Sequence, residues 1–308
     1  MTKKIIAVAG PTASGKTSLA IKIAKRFSGE VVSCDSMQIY RGMDIGTAKP
    51  TVDEMCEIPH HMIDILDPKT RYSVADFVRD ARGCIDDILS RGKLPVVAGG
   101  TGLYMDSVLM NINFDEVKQD MAYREEMQAY ADKFGAEKLH QLLREKDSDA
   151  AEKIHPNNVR RVIRALEVCH TTGKTFTQVN AESRREPVYD ARIFGIETDR
   201  QVLYDRIDQR VDIMLEQGLL DEVRGFYQSN LDRGTTAMQA IGYKEIFDFF
   251  EGFCTLDDAI EKIKMESRRY AKRQLTWFKR NEQIDWVTLG CDEDFEEVFK
   301  KCRNFLTD

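Results

Sequence analysis

The chain has 308 residues, of which 42% are hydrophobic and 31% are charged, and its formal net charge is −7. This balance excludes an intrinsically disordered chain and supplies enough apolar side chains for a large core. The seven cysteines are scattered without a Cys-x-x-Cys pair, so neither a disulfide framework nor a zinc site is indicated.

Strand and helix patterns alternate through the first hundred residues. Short β-branched runs predict strands, and apolar positions at helical spacing predict helices between them. In chain order these are a strand at 5–9, a helix at 16–27, a strand at 30–33, a helix at 74–89 and a strand at 94–98. Such alternation predicts an α/β fold with a parallel sheet flanked by helices.

The pattern changes after residue 113 to a charged stretch with helical spacing and no strand signal. Strand signals return at 192–196 and 284–289, and helical patterns occupy 200–217, 219–229 and 256–278. We therefore predict a P-loop core formed by residues 1–115 and 190–308. An all-helical insertion at 116–189 would interrupt it.

A phosphate-binding loop follows the first predicted strand and opens the first predicted helix. It fits the pattern G-x-x-x-x-G-K-[ST], with the residues Gly10, Pro11, Thr12, Ala13, Ser14, Gly15, Lys16 and Thr17. In this context the loop amides and the helix N-terminus cradle phosphate, Lys16 adds a positive charge, and Thr17 can bind Mg²⁺. The motif does not by itself identify the phosphate compound.

Two further segments follow the next strands of the predicted sheet. Asp35-Ser36-Met37-Gln38 comes after the second strand, and Gly99-Gly100-Thr101-Gly102 after the third. Because the carboxyl ends of parallel strands share one edge of a sheet, we expect both segments to meet the phosphate loop in one crevice. Asp35 could then be a helix N-cap, a Mg²⁺ ligand or a general base.

These motifs, in this order and spacing, resemble the tRNA dimethylallyltransferase family in its bacterial form. The resemblance extends over nearly the whole chain, through the segments 10–17, 35–40, 46–50, 59–61, 99–104, 155–167, 240–245 and 268–278. It implies transfer of a dimethylallyl group from dimethylallyl diphosphate to N6 of the adenosine immediately 3′ of the tRNA anticodon. Mg²⁺ would be the cofactor.

The resemblance also implies roles for individual residues. Asp35 would accept the proton of the adenine amine, and Thr101 would orient that amine. Lys16, Arg210 and Mg²⁺ held by Thr17 would stabilise the departing diphosphate.

The partner implied by the resemblance is a tRNA anticodon stem-loop, with the target adenosine flipped into the crevice. Residues 264–280 carry seven basic residues and one acidic residue, interleaved with Tyr270, Trp277 and Phe278, as phosphate contact and base stacking would need. The residues expected at the RNA are Asp35, Ser36, Met37, Gln38, Thr101, Arg124, Arg160, Arg161, Arg164, Ala240, Ile241, Gly242, Tyr243, Lys244, Arg268, Arg269 and Arg273.

No targeting or membrane segment is indicated. The first four residues lead directly into a β-like run, without the apolar stretch of a secretory signal or of a membrane-spanning helix. We therefore expect a cytoplasmic protein without a membrane anchor. Separately, we expect a monomer, and no obligate protein partner is indicated. His60 and His61 are adjacent on an extended segment, which favours structural roles over a metal pair.

Three alternatives share the phosphate loop. A small-molecule kinase would use the same loop, Mg²⁺ and a carboxylate, and an adenylate isopentenyltransferase would use the same donor with a free nucleotide. A nucleotide-switched RNA-binding protein would transfer no group. The helical insertion and the basic segment favour a tRNA substrate over a free nucleotide, whereas an Asp35→Ala variant would separate the enzyme from the switch.

Overall fold

The computed structural model describes residues 3–111, 120–182, 186–229 and 231–308. The chain divides into two compact units. The first, called the core unit, comprises Met1–Leu109 and Val188–Asp308, and the second, called the helical unit, comprises Met110–Pro187.

The core unit contains a six-stranded sheet in which all neighbouring strands are parallel. The strands are β1 (Lys4–Ala9), β2 (Gly29–Ser33), β3 (His60–His61), β4 (Leu94–Gly99), β5 (Asp190–Glu197) and β6 (Ile284–Thr288). Their order across the sheet is β3-β2-β4-β1-β5-β6. After β1 the chain forms β2 and β3 on one side of the sheet and returns to place β4 between β2 and β1. It then forms β5 and β6 on the other side of β1. A ligand crevice is therefore expected beyond the carboxyl ends of β1 and β4.

Four helices of the core unit lie in the first part of the chain: α1 (Lys16–Arg26), α2 (Val52–Met55), α3 (Val74–Ser90) and α4 (Gly102–Leu109). Helix α3 begins with a capping box, in which Ser73 and Asp76 each bind the backbone N–H of the other. Its buried residues recur at helical spacing and are Phe77, Val78, Ala81, Ile85 and Ile88.

The described part of the helical unit contains α5 (Met121–Phe134), α6 (Ala136–Lys146), α7 (Ser148–Lys153), α8 (Val159–Thr172) and α9 (Phe176–Glu182). Helix α8 is amphipathic: Val162, Ala165 and Leu166 are buried against α5, α6 and α7. Asn158 caps its start and Gly173, in the left-handed region, ends it.

The core unit is completed by α10 (Arg200–Glu216), α11 (Leu219–Gln228), α12 (Tyr243–Phe250), α13 (Leu256–Phe278) and α14 (Asp292–Thr307). Helix α13 packs against both α10 and α12. Among the residues described, no helix is both long enough and apolar enough to cross a membrane.

The predicted fold class is confirmed, since a parallel sheet is flanked by helices on the predicted segments. Strand β3 and helices α2, α4, α12 and α14 carry no sequence prediction. Strand β3 has only two residues and no apolar alternation, and it forms because Val31 and Val32 of β2 offer it a parallel edge. Helix α14 packs on α1 and β6, and its Phe299 contacts Phe27 edge-on.

Candidate active site

The phosphate loop joins β1 to α1 as the sequence predicts. Gly15 has φ 89° and forms the N-cap of α1, and Ala13 has φ 62°, so the chain turns through left-handed conformations. The Ser14 hydroxyl donates to the Pro11 carbonyl at 2.9 Å. The loop is therefore a preformed turn in front of a helix N-terminus, which suits an anion.

Lys16 lies at the centre of the cationic end of the site. Its ammonium donates to the Pro11 carbonyl at 3.2 Å. Burial lowers the pKa of Lys16 to about 8; the nearby Asp35 carboxylate raises it, and the Arg210 guanidinium lowers it further. Lys16, Asp35 and Arg210 come from three separate segments and line the same cavity.

Asp35 follows β2, and its carboxylate is only half used by the protein. Oδ1 accepts hydrogen bonds from the backbone N–H groups of Met37 at 2.8 Å and Gln38 at 3.3 Å. Oδ2 accepts none from the described residues. The turn therefore fixes the carboxylate while leaving one oxygen available to a ligand.

Thr101 lies behind the Asp35 turn rather than in the cavity wall. Its hydroxyl accepts a hydrogen bond from the Ser36 N–H at 3.3 Å, and its own N–H donates to the Cys34 carbonyl at 3.4 Å. Tyr270 of α13 lines the cavity. Burial and the nearby Asp35 raise the pKa of Tyr270 to about 12. Thr101 thus holds the Asp35 segment from behind.

Gln274 of α13 is a site residue that the sequence does not reveal. Its Oε1 accepts a hydrogen bond from the Thr12 N–H, and its Nε2 donates to the Gly100 carbonyl, both at 2.9 Å. A Cβ at position 100 would lie 2.2 Å from Nε2, so this close approach requires glycine. The buried amide therefore joins the phosphate loop to the loop after β4.

Arg210 projects from α10 into the same site. Burial lowers its pKa, and Glu54 contributes an opposing attraction. No described side chain forms an ion pair or hydrogen bond with Arg210. A largely enclosed guanidinium without an anionic partner is costly, so its surroundings suit a bound anion.

These groups surround a cavity of about 340 Å³. Its cationic end contains Lys16, Thr17 and Arg210, and Asp35 lies in its wall. The apolar part of the wall is formed by Val31, Ile63, Ala98, Ile207, Val211, Met214, Leu219, Ile241 and Ile263. One cavity thus offers an anion site, a carboxylate and an apolar surface.

The loop at residues 44–50 forms another wall of this cavity. The Glu222 carboxylate of α11 accepts hydrogen bonds from the N–H groups of Asp44, Ile45 and Gly46, at 2.9, 2.8 and 3.0 Å. Three consecutive amides on one carboxylate fix the path of the loop. Glu222 is not predictable from the sequence, since acidic residues are frequent in helix first turns and nothing marks this one.

The chain matches the family described as IPP transferase over residues 38–281, and the family described as isopentenyl transferase over residues 3–64. The chain belongs to the IPP transferase family. The resemblance predicted from the motifs is confirmed.

Other IPP transferases resemble the chain over nearly its whole length. A tRNA dimethylallyltransferase of Bacillus subtilis (strain 168) is 52% identical over 292 residues, covering 95% of this chain and 93% of the relative. The crystal structure of a tRNA isopentenylpyrophosphate transferase from Bacillus halodurans has a TM-score of 0.76 at 45% identity, covering 99% and 97% of the two chains. A eukaryotic dimethylallyltransferase acting on tRNA has a TM-score of 0.80 at 32% identity, covering 93% of this chain and 74% of that one.

In this IPP transferase the segment after Asp35 lines the cavity, with Ser36, Met37 and Gln38 in its wall. The Gln38 amide is already engaged within the protein. It accepts from the Ser33 hydroxyl at 3.1 Å and donates to the carbonyls of Thr47 and Ala48 at 3.3 and 3.1 Å. Its observed bonds position the loop at residues 44–50.

The segment that leads into α12 and forms its first turn divides between the cavity and the interior. Ala240, Ile241, Gly242 and Lys244 line the cavity. Tyr243 is completely buried, and its hydroxyl donates to Glu222. Its ring lies so close to Gly46 that a Cβ there would come within 2.5 Å. Tyr243 therefore supports the loop at residues 44–50.

The arginines predicted at RNA in the helical unit have two kinds of surroundings. Arg124 and Arg164 both bind the buried carboxylate of Glu167, with N–O distances of 2.8 and 2.5 Å. Arg160 and Arg161 are exposed, and neither forms an ion pair with a described residue. The sequence predicts RNA contact for all four arginines and does not separate the two kinds.

The predicted basic segment forms the second half of α13. Arg268 is paired with Asp208 of α10 and Arg269 with Glu266, whereas Arg273 lines the cavity. Phe278 is only 2% exposed, so the stacking role predicted for it is wrong; it packs in the protein interior instead. Trp277 remains exposed at the surface.

The two adjacent histidines face opposite sides of β3. His61 Nε2 lies 2.7 Å from the Glu30 carboxylate, and His60 Nδ1 lies 2.8 Å from the Ile58 carbonyl. His60 also lines the cavity, and burial lowers its pKa. Within the described ranges, no cluster of three or more His, Cys, Asp and Glu side chains could hold a metal ion.

Proposed function

We propose that this chain transfers the dimethylallyl group of dimethylallyl diphosphate to N6 of the tRNA adenosine immediately 3′ of the anticodon. The observation that carries the proposal is the cavity that combines Lys16 and Arg210, the half-used carboxylate of Asp35 and an apolar wall. The diphosphate of the donor needs the two cations, its allyl group needs the apolar wall, and an amine acceptor needs the carboxylate.

In the proposed reaction the exocyclic amine of the adenosine attacks C1 of the allyl group as the C1–O bond breaks. The N–C bond forms, the electron pair of the broken bond leaves with diphosphate, and one amine proton passes to Oδ2 of Asp35. An aromatic exocyclic amine is a weak nucleophile, so proton acceptance by a fixed carboxylate lowers the barrier. The hydrogen bonds from Met37 and Gln38 hold that carboxylate in place.

The charge of the leaving diphosphate is balanced by the ammonium of Lys16, the guanidinium of Arg210 and the loop amides. Side chains of α10, namely Ile207, Val211 and Met214, offer an apolar surface to the allyl group and keep water from its reactive carbon.

The residues present fit a Mg²⁺ ion. Thr17 lines the cavity, and its hydroxyl has no hydrogen-bond partner among the described residues. Mg²⁺ accepts few protein ligands when phosphate oxygens and waters complete its shell, so one hydroxyl beside a diphosphate suits it. When bound, the ion would neutralise charge on the diphosphate.

We further propose that the partner is the anticodon stem-loop of tRNA. Support comes from Ala240, Ile241, Gly242 and Lys244, which edge the cavity that would take the flipped base. In the helical unit, the exposed Arg160 and Arg161 are the cations best suited to phosphate contact, because Arg124 and Arg164 are engaged with Glu167.

The test is mass spectrometry of digested nucleosides after incubation with Mg²⁺, one donor and one acceptor. The donors are dimethylallyl diphosphate and ATP, and the acceptors are unmodified tRNA and AMP. We expect one C₅H₈ unit on adenosine, only with the allyl donor and tRNA. Prenylated AMP would instead identify an adenylate isopentenyltransferase. Consumption of ATP without a modified nucleoside would contradict the proposal and favour a kinase or a switch.

A further inference from the structure

The Glu222 carboxylate of α11 has every acceptor position filled. Oε2 accepts the N–H groups of Asp44 at 2.9 Å and Ile45 at 2.8 Å. Oε1 accepts the Gly46 N–H at 3.0 Å and the hydroxyl of Tyr243. A carboxylate offers about four lone-pair positions, two on each oxygen. No neutral side chain of the same shape can therefore satisfy all four donors.

The loop at residues 44–50 needs an anchor because part of its backbone is strained. Ala48 has φ 49°, in the left-handed region that residues other than glycine rarely adopt. Such a conformation persists where the surroundings fix it. The Thr47 hydroxyl donates to the Met43 carbonyl at 2.6 Å, and the Ala48 N–H donates to the Ile45 carbonyl at 2.9 Å. These bonds close the turn on itself, and Glu222 attaches the turn to α11.

The other end of the loop is tied to the Asp35 turn through Gln38. The carbonyls of Thr47 and Ala48 accept hydrogen bonds from Gln38 Nε2 at 3.3 and 3.1 Å. The backbone N–H of Gln38 donates to Oδ1 of Asp35 at 3.3 Å. The loop therefore connects Glu222 on α11 to the carboxylate that accepts the proton in the proposed reaction.

Tyr243 brings a second segment of the cavity wall to the same carboxylate. Its neighbours Gly242 and Lys244 line the cavity, and so does Gly46 of the loop. Glu222 itself lies outside the cavity wall and binds both segments from behind. One carboxylate thus fixes the position of one segment of the wall relative to the other.

The phosphate end of the cavity is held by different contacts. The Ser14 hydroxyl binds the Pro11 carbonyl, and the Gln274 amide binds the Thr12 N–H. Among the residues that the structure describes, no hydrogen bond joins the phosphate loop to the loop at residues 44–50. A change at Glu222 should therefore disturb the carboxylate that meets the acceptor and leave the diphosphate site in place.

We infer that Glu222 is a positioning residue for the transfer, because it holds the loop at residues 44–50 and, through Gln38, the orientation of Asp35 toward the acceptor amine. The inference rests on the proposed function and adds a residue to the same site. A general base acts only within hydrogen-bond reach of its proton, and a displacement of about 1 Å can cost roughly a hundredfold in rate. An anchor that fixes the loop limits such a displacement.

The test compares single-turnover transfer by Glu222→Gln and by Asp221→Asn. Glutamine keeps the length but has one oxygen, so its NH₂ group faces two donors in either orientation. We expect the rate at saturating tRNA to fall roughly tenfold or more, while the concentration of dimethylallyl diphosphate that gives half the maximal rate stays unchanged. Asp221 is the matched control, because it is exposed, lies in the same helical turn and pairs with Arg224. Asp221→Asn should change neither quantity.

A double-mutant cycle with Gln38 separates positioning from general destabilisation. Gln38→Ala cuts the same connection at its other end, so the double variant should be about as slow as the slower single variant. Independent structural damage would multiply the two losses instead. If Glu222→Gln does not fold, Tyr243→Phe replaces it in the cycle, since it removes one donor and keeps the ring over Gly46.

Three results would overturn the inference and leave the proposed transfer intact. The first is transfer by Glu222→Gln at the wild-type rate, and the second is a loss that multiplies with that of Gln38→Ala. The third is a higher requirement for dimethylallyl diphosphate at an unchanged maximal rate. A wild-type protein that transfers no dimethylallyl group to tRNA would instead overturn the proposed function.

Discussion

Two groups of arginines in this protein have opposite surroundings. In the helical unit, Arg124 and Arg164 hold Glu167, whose side chain is 0% exposed, and the same carboxylate accepts the Asp120 N–H at 2.8 Å. In the core unit, Arg210 is enclosed in the cavity wall and forms no ion pair with a described residue. The first group is a completed internal network, whereas Arg210 lacks its anion.

The difference shows that the partner of a cation, rather than its presence, indicates its role. An arginine paired with a buried carboxylate contributes to folding, and removing the carboxylate leaves uncompensated charge. An enclosed arginine without a carboxylate stays charged at a cost to stability, and a bound anion offsets that cost. We therefore expect substitution of Arg210 to change turnover, and substitution in the Glu167 network to change stability.

The largest expected effect comes from Arg210. Arg210→Gln should reduce turnover by roughly a hundredfold or more, because the charge that develops on diphosphate loses a fixed cation. The melting temperature should not fall, since no internal ion pair is broken. Steady-state prenylation assays measure the turnover, and thermal unfolding measures the melting temperature. Arg206 is exposed and lies one turn earlier on α10, so Arg206→Gln is the control. An equal loss of turnover in Arg206→Gln would contradict the role assigned to Arg210.

In the helical unit, the expected effect of breaking the Glu167 network is a loss of stability. Glu167→Gln should lower the free energy of unfolding by about 2 kcal/mol, less than for a fully buried pair because both arginines are about one-third exposed. Urea denaturation measures this. Glu182→Gln breaks the exposed pair with Lys174 in the same unit and should change stability by about 0.5 kcal/mol or less. Equal effects of the two variants would contradict a structural role for the buried pair.

The pH dependence of this pair has a definite sign. Burial alone would raise the pKa of Glu167, but hydrogen bonds from Arg124 and Arg164 hold it below its usual value. The pair's stabilisation is therefore present above the ordinary pKa of glutamate and is lost as the pH falls through the lowered value. The stability difference between wild type and Glu167→Gln should accordingly shrink in acid.

A smaller effect is expected at Lys16. Because its pKa is lowered to about 8, raising the pH through 8 removes the proton that attracts the diphosphate. The kcat/KM for dimethylallyl diphosphate should then fall by at most about tenfold per pH unit. Lys16→Arg should abolish this alkaline limb, since arginine stays protonated. An unchanged alkaline limb in Lys16→Arg would assign the titration to another group.

The sequence determined most of the fold and part of the site. Apolar periodicity predicts β1, β2, β4 and the helices α1, α3, α10, α11 and α13 because burial creates the pattern. The phosphate loop and Asp35 could be brought together from strand order alone. Gln274 could not be found, because it binds Thr12 from 262 positions away and nothing local marks it. The pairing of Arg268 with Asp208 spans 60 positions and is equally hidden.

The central claim is that Asp35 takes part in chemistry rather than only in a turn, and its most direct test is single-turnover prenylation by Asp35→Ala. Asp67 provides the matched control, because its Oδ1 accepts the Lys69 N–H at 2.8 Å in a similar turn and it does not line the cavity. We expect Asp35→Ala to bind tRNA normally and to lose the transfer rate by roughly a hundredfold or more, while Asp67→Ala keeps it. A transfer rate in Asp35→Ala close to that of Asp67→Ala would contradict the claim.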